Sequence, residues 1–133
     1  MNKTCAIIKP DAVTAKHSGN IISLIELNGF TLARMEKMHL TRAQAEEFYA
    51  VHSQRSFFGE LVDYMISGPV IVMALEKENA IQEWRDLMGA TNPAQAAVGT
   101  IRKMFGTSIG SNATHGSDSA ENAAQELKFF FAE

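Results

Sequence analysis

The chain has 133 residues, of which 46% are hydrophobic, and a formal net charge of −3. This length and composition suit one globular domain with a sizeable core, which we expect over residues 1–133. The charge balance excludes the global basic field of a protein that binds nucleic acid in bulk, so any anion site must be built locally.

Cysteine usage and hydropathy bear on the location of the protein. The single cysteine, Cys5, lies in an apolar run and is interpreted as a core residue, and it excludes an internal disulfide. A chain without disulfides suits a reducing compartment. No stretch reaches the length of a membrane span, and the N-terminus runs directly into a strand-like segment rather than a signal peptide. We therefore expect a cytoplasmic location, with neither a membrane nor a specific nucleic acid as a partner.

Strand and helix patterns alternate along the chain. The signals that bound them are mostly caps and glycines, such as the capping-box pair Thr41 and Gln44 and the helix-ending Gly29 and Gly89. The predicted elements are, in order, a strand over 4–8, a helix over 19–28, a strand over 30–40, helices over 43–51 and 57–66, a strand over 70–75, a helix over 80–88, a short helical piece after Pro93, a loop over 103–114, a helix from Ser119 to about Leu127, and a strand over 128–131.

This order contains two strand–helix–strand units in succession. It predicts an α+β fold of the split βαβ type (βαββαβ), an antiparallel sheet with helices packed on one face. The run over 70–75 is apolar at successive positions, which places it centrally in the sheet.

The stretch over 110–119 is the most distinctive part of the chain, because it sets His115 among small and polar residues, with Gly116 directly after it. Two interpretations are open. The histidine is incidental to a surface loop, or it is an accessible imidazole that serves as a covalent nucleophile. In the second case Glu126, one helix away, could hold one ring nitrogen and leave the other free to attack.

Other chemistries have little support. The four histidines are far apart without metal-ligand spacing, and the lone cysteine adds nothing to them. Ser117, His115 and Asp118 are too close in sequence for a hydrolase triad, and there is no nucleophile elbow. Neither a Walker-type nor a dinucleotide-type glycine loop is present.

Scattered cations and polar side chains remain as candidates for binding an anion. Arginine's planar fork suits phosphate oxygens, although each side chain taken singly is better explained as a surface group. The candidates are Lys9, Tyr49, His52, Arg85, Thr91 and Arg102.

Five colinear blocks, taken together, resemble the nucleoside diphosphate kinase family, from about Thr4 to Phe131. The short C-terminus resembles that of bacterial forms. The blocks are Ile8-Lys9-Pro10-Asp11-Ala12-Val13, Phe57-Phe58 with Ser67-Gly68-Pro69-Val70, Gly89-Ala90-Thr91-Asn92-Pro93, Gly99-Thr100-Ile101-Arg102, and Asn112-Ala113-Thr114-His115-Gly116-Ser117-Asp118-Ser119.

The resemblance implies a ferredoxin-like domain that moves the γ-phosphoryl group of a nucleoside triphosphate to a nucleoside diphosphate. The transfer would be ping-pong, through a phosphohistidine on His115. Glu126 would hold the other ring nitrogen, and Ser117 would bond to that carboxylate. Lys9 and Tyr49 would lie near the transferring phosphate.

The remaining site residues follow from the same resemblance. Arg85, Thr91 and Arg102 would hold the phosphates, with His52 as a further contact. Phe57 would stack on the base with Leu61 beside it, and Lys9 and Asn112 would contact the ribose. Mg²⁺ would arrive with the nucleotide, held mostly by phosphate oxygens. Members of the family assemble as homo-oligomers, so we expect one here.

Three positions depart from the family pattern. Ser56 and Val98 stand where proline is usual or common, and Met104 replaces an acidic residue. These departures bear on subunit packing and stability rather than on chemistry. An alternative interpretation is a catalytically inactive nucleotide-binding or regulatory module on the same fold, and loss of activity would then require a collapsed site around 103–110.

Overall fold

A computed structural model describes residues 2–132 of the chain. Within this range the strands are β1 (Asn2–Ile8), β2 (Thr31–Met38), β3 (Val70–Lys77) and β4 (Thr114–Gly116). The α-helices are α1 (Pro10–Thr14), α2 (Ser18–Leu27), α3 (Arg42–Phe48), α4 (Phe58–Met65), α5 (Ala80–Met88), α6 (Ile101–Phe105) and α7 (Ala120–Phe131). Short 3₁₀ turns lie at Ala50–His52 and Pro93–Gln95.

The strands form one antiparallel sheet in the order β2-β3-β1-β4. This topology confirms the predicted split βαβ, ferredoxin-like arrangement. Strand β1 is an inner strand, and its Ile7 lies opposite Val72 on one side and His115 on the other. The histidine is therefore held directly beside the centre of the sheet.

Helices cover both faces of the sheet, so the prediction that they pack on one face is wrong. Successive residues of β1 enter two different cores. Ala6 and Ile8 pack with Trp84 on one face, whereas Cys5 and Ile7 pack with Leu127 and others on the opposite face. The physical reason is that β1 and β3 are apolar at consecutive positions, and a strand of that kind must be covered on both sides.

The C-terminal segment is helical, so the predicted strand over 128–131 is also wrong. Helix α7 continues to Phe131, and the fourth strand is the short β4. Residues Leu127, Phe130 and Phe131 belong to one core cluster, at the spacing of a helix face. The ring of Phe130 lies 5.0 Å from that of Phe48 on α3. This packing favours a helix over the strand that three aromatic residues in succession suggest.

The predicted loop over 103–114 is shorter than expected, because α6 occupies its beginning and β4 starts at its end. The Thr100 side chain accepts a hydrogen bond from the Lys103 N–H at 3.4 Å and caps α6. The capping box at Thr41 and the cap by Ser119 are confirmed. Cys5 is fully buried, as predicted, and burial raises the pKa of its thiol. Of the helices within residues 2–132, none is long and apolar enough to cross a bilayer.

Candidate active site

The backbone of His115 is fixed from two sides. Strand β1 pairs with it on one side, and the Trp84 indole N–H of α5 donates to the His115 carbonyl at 3.2 Å. Trp84 packs so closely that a Cβ at Gly116 would lie 2.5 Å from its Cδ1 atom. The glycine after the histidine is therefore required by the tryptophan beneath it.

The imidazole of His115 is held by a carboxylate. Its Nε2 lies 3.1 Å from Oε1 of Glu126 on α7, and the Ser117 hydroxyl donates to the same oxygen at 2.8 Å. An ionised carboxylate only accepts hydrogen bonds, so this contact assigns the ring hydrogen to Nε2 and leaves Nδ1 with its lone pair. The histidine side chain is 20% exposed. The ring is thus oriented and still accessible.

Two aromatic rings pack against the imidazole of His115. The Phe48 ring lies 5.4 Å from the His115 ring in an edge arrangement, and the Tyr49 ring lies 6.5 Å away. Tyr49 is buried, and its hydroxyl has no hydrogen-bond partner among residues 2–132. Burial and the nearby Glu126 raise the pKa of Tyr49, so the phenol stays protonated.

His115 opens onto a cavity of about 570 Å³, here called the Arg85 cavity. Its lining includes Arg85, Asp86, Thr91, Arg102, His115 and Gly116. Arg102 is fixed by donating to the carbonyls of Gly89 at 3.1 Å and Thr114 at 2.9 Å. Burial, and then repulsion from Arg85, lower the pKa of Arg102 to about 10. Among residues 2–132, neither arginine has a salt bridge to a carboxylate that would offset this repulsion.

A second cavity of about 510 Å³, the Phe57 cavity, is lined by Lys9, Phe57, Glu60, Leu61, Tyr64, Ile109, Gly110 and Ser111. Phe57 is 46% exposed at the start of α4. The ring of His52 lies 5.6 Å from it. An exposed aromatic ring with aliphatic neighbours suits a flat, apolar ligand face.

Lys9 and Asn112 join the two cavities. The Lys9 Nζ donates to Asn112 Oδ1 at 2.9 Å, and Asn112 Nδ2 donates to the Thr91 carbonyl at 3.0 Å. Burial, and then the charge of Arg102, lower the pKa of Lys9 to about 8, while Asp11 acts against this shift.

Positive charge is therefore concentrated here. Within the described residues, Lys9, Arg85 and Arg102 take part in no salt bridge. A chain with a net charge of −3 has thus gathered unpaired cations at one place. Bound phosphates would relieve their mutual repulsion.

Most of the residues singled out in the sequence lie together, but not all line a cavity. The two cavities contain Lys9, Phe57, Leu61, Arg85, Thr91, Arg102 and His115 among their lining residues. Glu126 contacts His115 Nε2, Ser117 donates to Glu126, and Asn112 accepts from Lys9. Tyr49 and His52 line neither cavity and contact residues that do.

Three residues of the site were not anticipated. The Trp84 indole N–H donates to the His115 carbonyl. Asp11 and Tyr64 are hydrogen-bonded to each other beside the Phe57 cavity. Signals for two of them were present in the sequence. Asp11 directly follows Lys9-Pro10, and Tyr64 continues the helical spacing of Phe57 and Leu61.

Comparisons with known proteins agree with this arrangement. A family model described as nucleoside diphosphate kinase matches residues 2–133. The chain is 58% identical to the nucleoside diphosphate kinase of Chlamydia abortus, with 99% of this chain and 94% of that protein covered. It is 57% identical to that of Chlamydia pneumoniae, with 99% and 92% covered.

Solved structures give the same result. The nucleoside diphosphate kinase of Aquifex aeolicus superposes with a TM-score of 0.96 at 41% identity, covering 98% of this chain and 94% of that one. The enzyme of Encephalitozoon cuniculi superposes with a TM-score of 0.96 at 39% identity, covering 100% and 90%.

The sheet and its helices thus define a ferredoxin-like α+β enzyme fold. The chain belongs to the nucleoside diphosphate kinase family. The resemblance carried by the five sequence blocks is thereby confirmed.

Proposed function

We propose that this chain transfers the γ-phosphoryl group of a nucleoside triphosphate to a nucleoside diphosphate through a phosphohistidine at Nδ1 of His115. The observation that carries the proposal is the contact between Oε1 of Glu126 and Nε2 of His115, 3.1 Å apart. His115 also lines the Arg85 cavity. A ring nitrogen with its lone pair, next to unpaired cations, is suited to attack phosphorus. We take nucleoside triphosphates and diphosphates as the substrates because the relatives are named nucleoside diphosphate kinases.

The reaction proceeds in two halves. In the first, the Nδ1 lone pair attacks the γ-phosphorus, the P–N bond forms, and the bond to the bridging oxygen breaks, so that the nucleoside diphosphate leaves with those electrons. The Nε2 hydrogen stays on the ring, and the Glu126 carboxylate balances the positive charge that develops there. In the second half, a terminal oxygen of another nucleoside diphosphate attacks the phosphorus and Nδ1 recovers its lone pair.

The cations supply positioning and charge stabilisation, which phosphoryl transfer chiefly requires. Arg85, Arg102 and Thr91 line the cavity beside the histidine, and Lys9 reaches toward it through Asn112. We assign Arg85, Arg102 and Thr91 to the phosphates, with His52 as a further contact beside Phe57. Tyr49 packs edge-on against the ring of His115 and helps to orient it.

A divalent cation fits this site only as a companion of the nucleotide. Within residues 2–132, no three His, Cys, Asp or Glu side chains are grouped closely enough to hold a metal ion. Among the residues that line the Arg85 cavity, Asp86 is the carboxylate. Mg²⁺ bound to phosphate oxygens would neutralise charge on them and needs few protein ligands. Asp86 is the lining residue that could contact such an ion or its water.

The base would stack on Phe57, and this contact gives a first prediction. We expect Phe57→Ala to raise KM for purine and pyrimidine nucleotides alike, because each base presents the same kind of face and such stacking contributes on the order of 1–3 kcal/mol. Phe57→Tyr keeps the ring and serves as the control, with KM close to that of the wild type. Steady-state kinetics with adenine, guanine, cytosine and uracil nucleotides measure this. A loss confined to one class of base would contradict stacking.

A second prediction concerns pH. The pKa of Lys9 is lowered to about 8, so the side chain is cationic below that pH and neutral above it. If its charge attracts phosphate, kcat/KM should fall as the pH rises through about 8, because this ratio reports the free enzyme. Lys9→Arg keeps the charge in alkaline solution, so its profile should stay flat through that range whatever its absolute level. A fall at the same pH in Lys9→Arg would assign the titration to another group.

The proposed activity is tested by mixing the protein with ATP, GDP and Mg²⁺ and following the formation of GTP. A phosphoenzyme mechanism requires parallel lines in double-reciprocal plots when both substrates are varied. Intersecting lines would indicate direct transfer and would contradict the role given to His115. Tight nucleotide binding without turnover would instead indicate the inactive binding module.

The same proposal extends to the organisation of the protein. The family match over residues 2–133 supports the single domain predicted for residues 1–133. We also propose a homo-oligomer. Strand β2 is an edge strand, largely exposed, with Met35 53% exposed, and such an edge suits pairing with another chain. Light scattering during gel filtration measures the assembly directly.

A further inference from the structure

The loop that precedes the short strand of His115 has a conformation that the surrounding structure must stabilise. Strand β4 pairs with β1 over Thr114, His115 and Gly116 alone. The residue before it, Ala113, has a φ of 76°, in the left-handed region that an L-residue with a Cβ adopts only at a cost. Ala113 is fully buried, so solvent does not satisfy its peptide groups. Something in the surrounding structure must stabilise this conformation.

Two hydrogen bonds hold the Ala113 backbone, one at each end of the residue. Its carbonyl accepts from the Lys9 N–H at 2.8 Å, and its N–H donates to Oδ2 of Asp11 at 3.2 Å. The first bond continues the alignment of β4 with β1. The second comes from a side chain, and it is therefore the one that a substitution can remove.

The Asp11 carboxylate is itself fixed by a second partner. The Tyr64 hydroxyl of α4 donates to its other oxygen, Oδ1. Burial, and then this bond to Asp11, raise the pKa of Tyr64, so the phenol remains a donor. The carboxylate thus joins three parts of the fold: helix α1, helix α4 and the loop before β4.

The residues next to Ala113 are those of the proposed active site. Asn112 on one side bonds to Lys9 and to Thr91, and His115 follows two residues later on the other side. If the Ala113 peptide rotated, both would move. A displacement of about 1 Å at a reacting group can cost on the order of 10²-fold in rate.

We propose that Asp11 and Tyr64 are positioning residues that clamp Ala113 in its left-handed conformation and thereby set the positions of Asn112 and His115. This inference rests on the proposed phosphoryl transfer for its effect on rate, but not for the clamp itself. Neither residue touches the reacting atoms. They set the positions of Asn112 and His115 through the backbone of one strained residue, and this effect is separate from the charge by which Asp11 raises the pKa of Lys9.

The strain supplies a specific test. Asp11→Ala removes the acceptor, and we expect the rate of His115 phosphorylation to fall on the order of 10²-fold with KM changed much less. Glycine reaches positive φ without the Cβ penalty. Adding Ala113→Gly to Asp11→Ala should therefore recover most of the lost rate. Tyr64→Phe, which removes the hydroxyl and keeps the ring, should give a smaller loss in the same direction.

Asp63→Ala is the matched control, since it removes a carboxylate from the exposed face of α4, where Asp63 pairs with Arg42 at 2.5 Å. Its rate should equal that of the wild type. If Asp11→Ala kept its rate within about twofold, or if Ala113→Gly recovered nothing, the clamp would be refuted, because the glycine rescue is specific to the strain at Ala113.

Hydrogen exchange gives a readout that does not depend on activity. In Asp11→Ala the amide of Ala113 should lose protection from exchange, while the amides of β1 and β3 keep theirs. This result is expected in the single variant Asp11→Ala, without Ala113→Gly. Unchanged protection at Ala113 would overturn the clamp even in an active enzyme. If the wild type transferred no phosphate, the proposed function would fail while this exchange result still judged the clamp.

Discussion

His115→Gln should abolish phosphoryl transfer while leaving the fold intact. The substitution removes the proposed nucleophile, and loss of a nucleophile lowers turnover by on the order of 10⁴-fold or more. The folded state should survive, because the side chain is partly exposed at 20% and the strand is held through its backbone by β1 and Trp84. Turnover with ATP and GDP, together with circular dichroism and thermal melting, measures both statements.

The matched control is His39→Gln, the same chemical change at a different histidine. His39 is exposed, its Nε2 contacts the Ile66 carbonyl at 2.7 Å, and it lines neither the Arg85 cavity nor the Phe57 cavity. Its turnover should match that of the wild type. Near-normal turnover in His115→Gln would refute the phosphohistidine, whereas equal losses in both variants would indicate a general effect on folding.

Gly116→Ala should reduce both stability and activity. The new Cβ would lie 2.5 Å from Trp84 Cδ1 and 2.6 Å from Met88 Cε, in a core where these side chains have little room to move. Overpacking of this kind costs about 1–3 kcal/mol in the free energy of unfolding. Because His115 is the next residue, its ring should also shift, and kcat should fall. Urea unfolding and steady-state kinetics measure the two effects.

Gly19→Ala provides the comparison for that variant. Gly19 lies in helix α2 with no atom within 4 Å of a Cβ placed there. Alanine is favoured over glycine in a helix by roughly 0.5–1 kcal/mol, so this variant should be as stable as the wild type or slightly more stable. If Gly116→Ala were equally well tolerated, the close packing of Trp84 against β4 would be wrong.

Periodicity predicted the long elements well and failed at the short ones. Helices α2 and α5 and strands β1 and β3 are where the apolar spacing indicated, because each is long enough to show its period. Helix α6 and strand β4 are too short for any period to be visible. Strand β4 exists because β1 pairs with it, and that contact is not visible in the local sequence.

The C-terminus shows how a local signal can mislead. Phe129, Phe130 and Phe131 in succession favour a strand by propensity. The spacing of Leu127, Phe130 and Phe131 also fits a helix face, and packing against Phe48 on α3 decides for the helix. The same tertiary effect explains why helices cover both faces of the sheet.

The candidate site was predictable as a set of residue types but not as a geometry. The motif blocks singled out His115, Lys9 and Arg102, and Glu126 and Arg85 were candidates outside those blocks. Only the fold brings Glu126 to Nε2 from eleven residues away. The strained φ of Ala113 and the hydrogen bond that its N–H donates to Asp11 are invisible in the sequence, because both depend on how three distant segments meet.

The most direct test of the account is to look for the phosphoenzyme itself. The purified protein is mixed with γ-labelled ATP and Mg²⁺, and half of the sample is then chased with GDP. We expect label on the protein that is lost in acid, stable in base and discharged to GTP. Protein that binds nucleotide but takes no label, or label that survives acid and is not discharged by GDP, would contradict a phosphohistidine on His115.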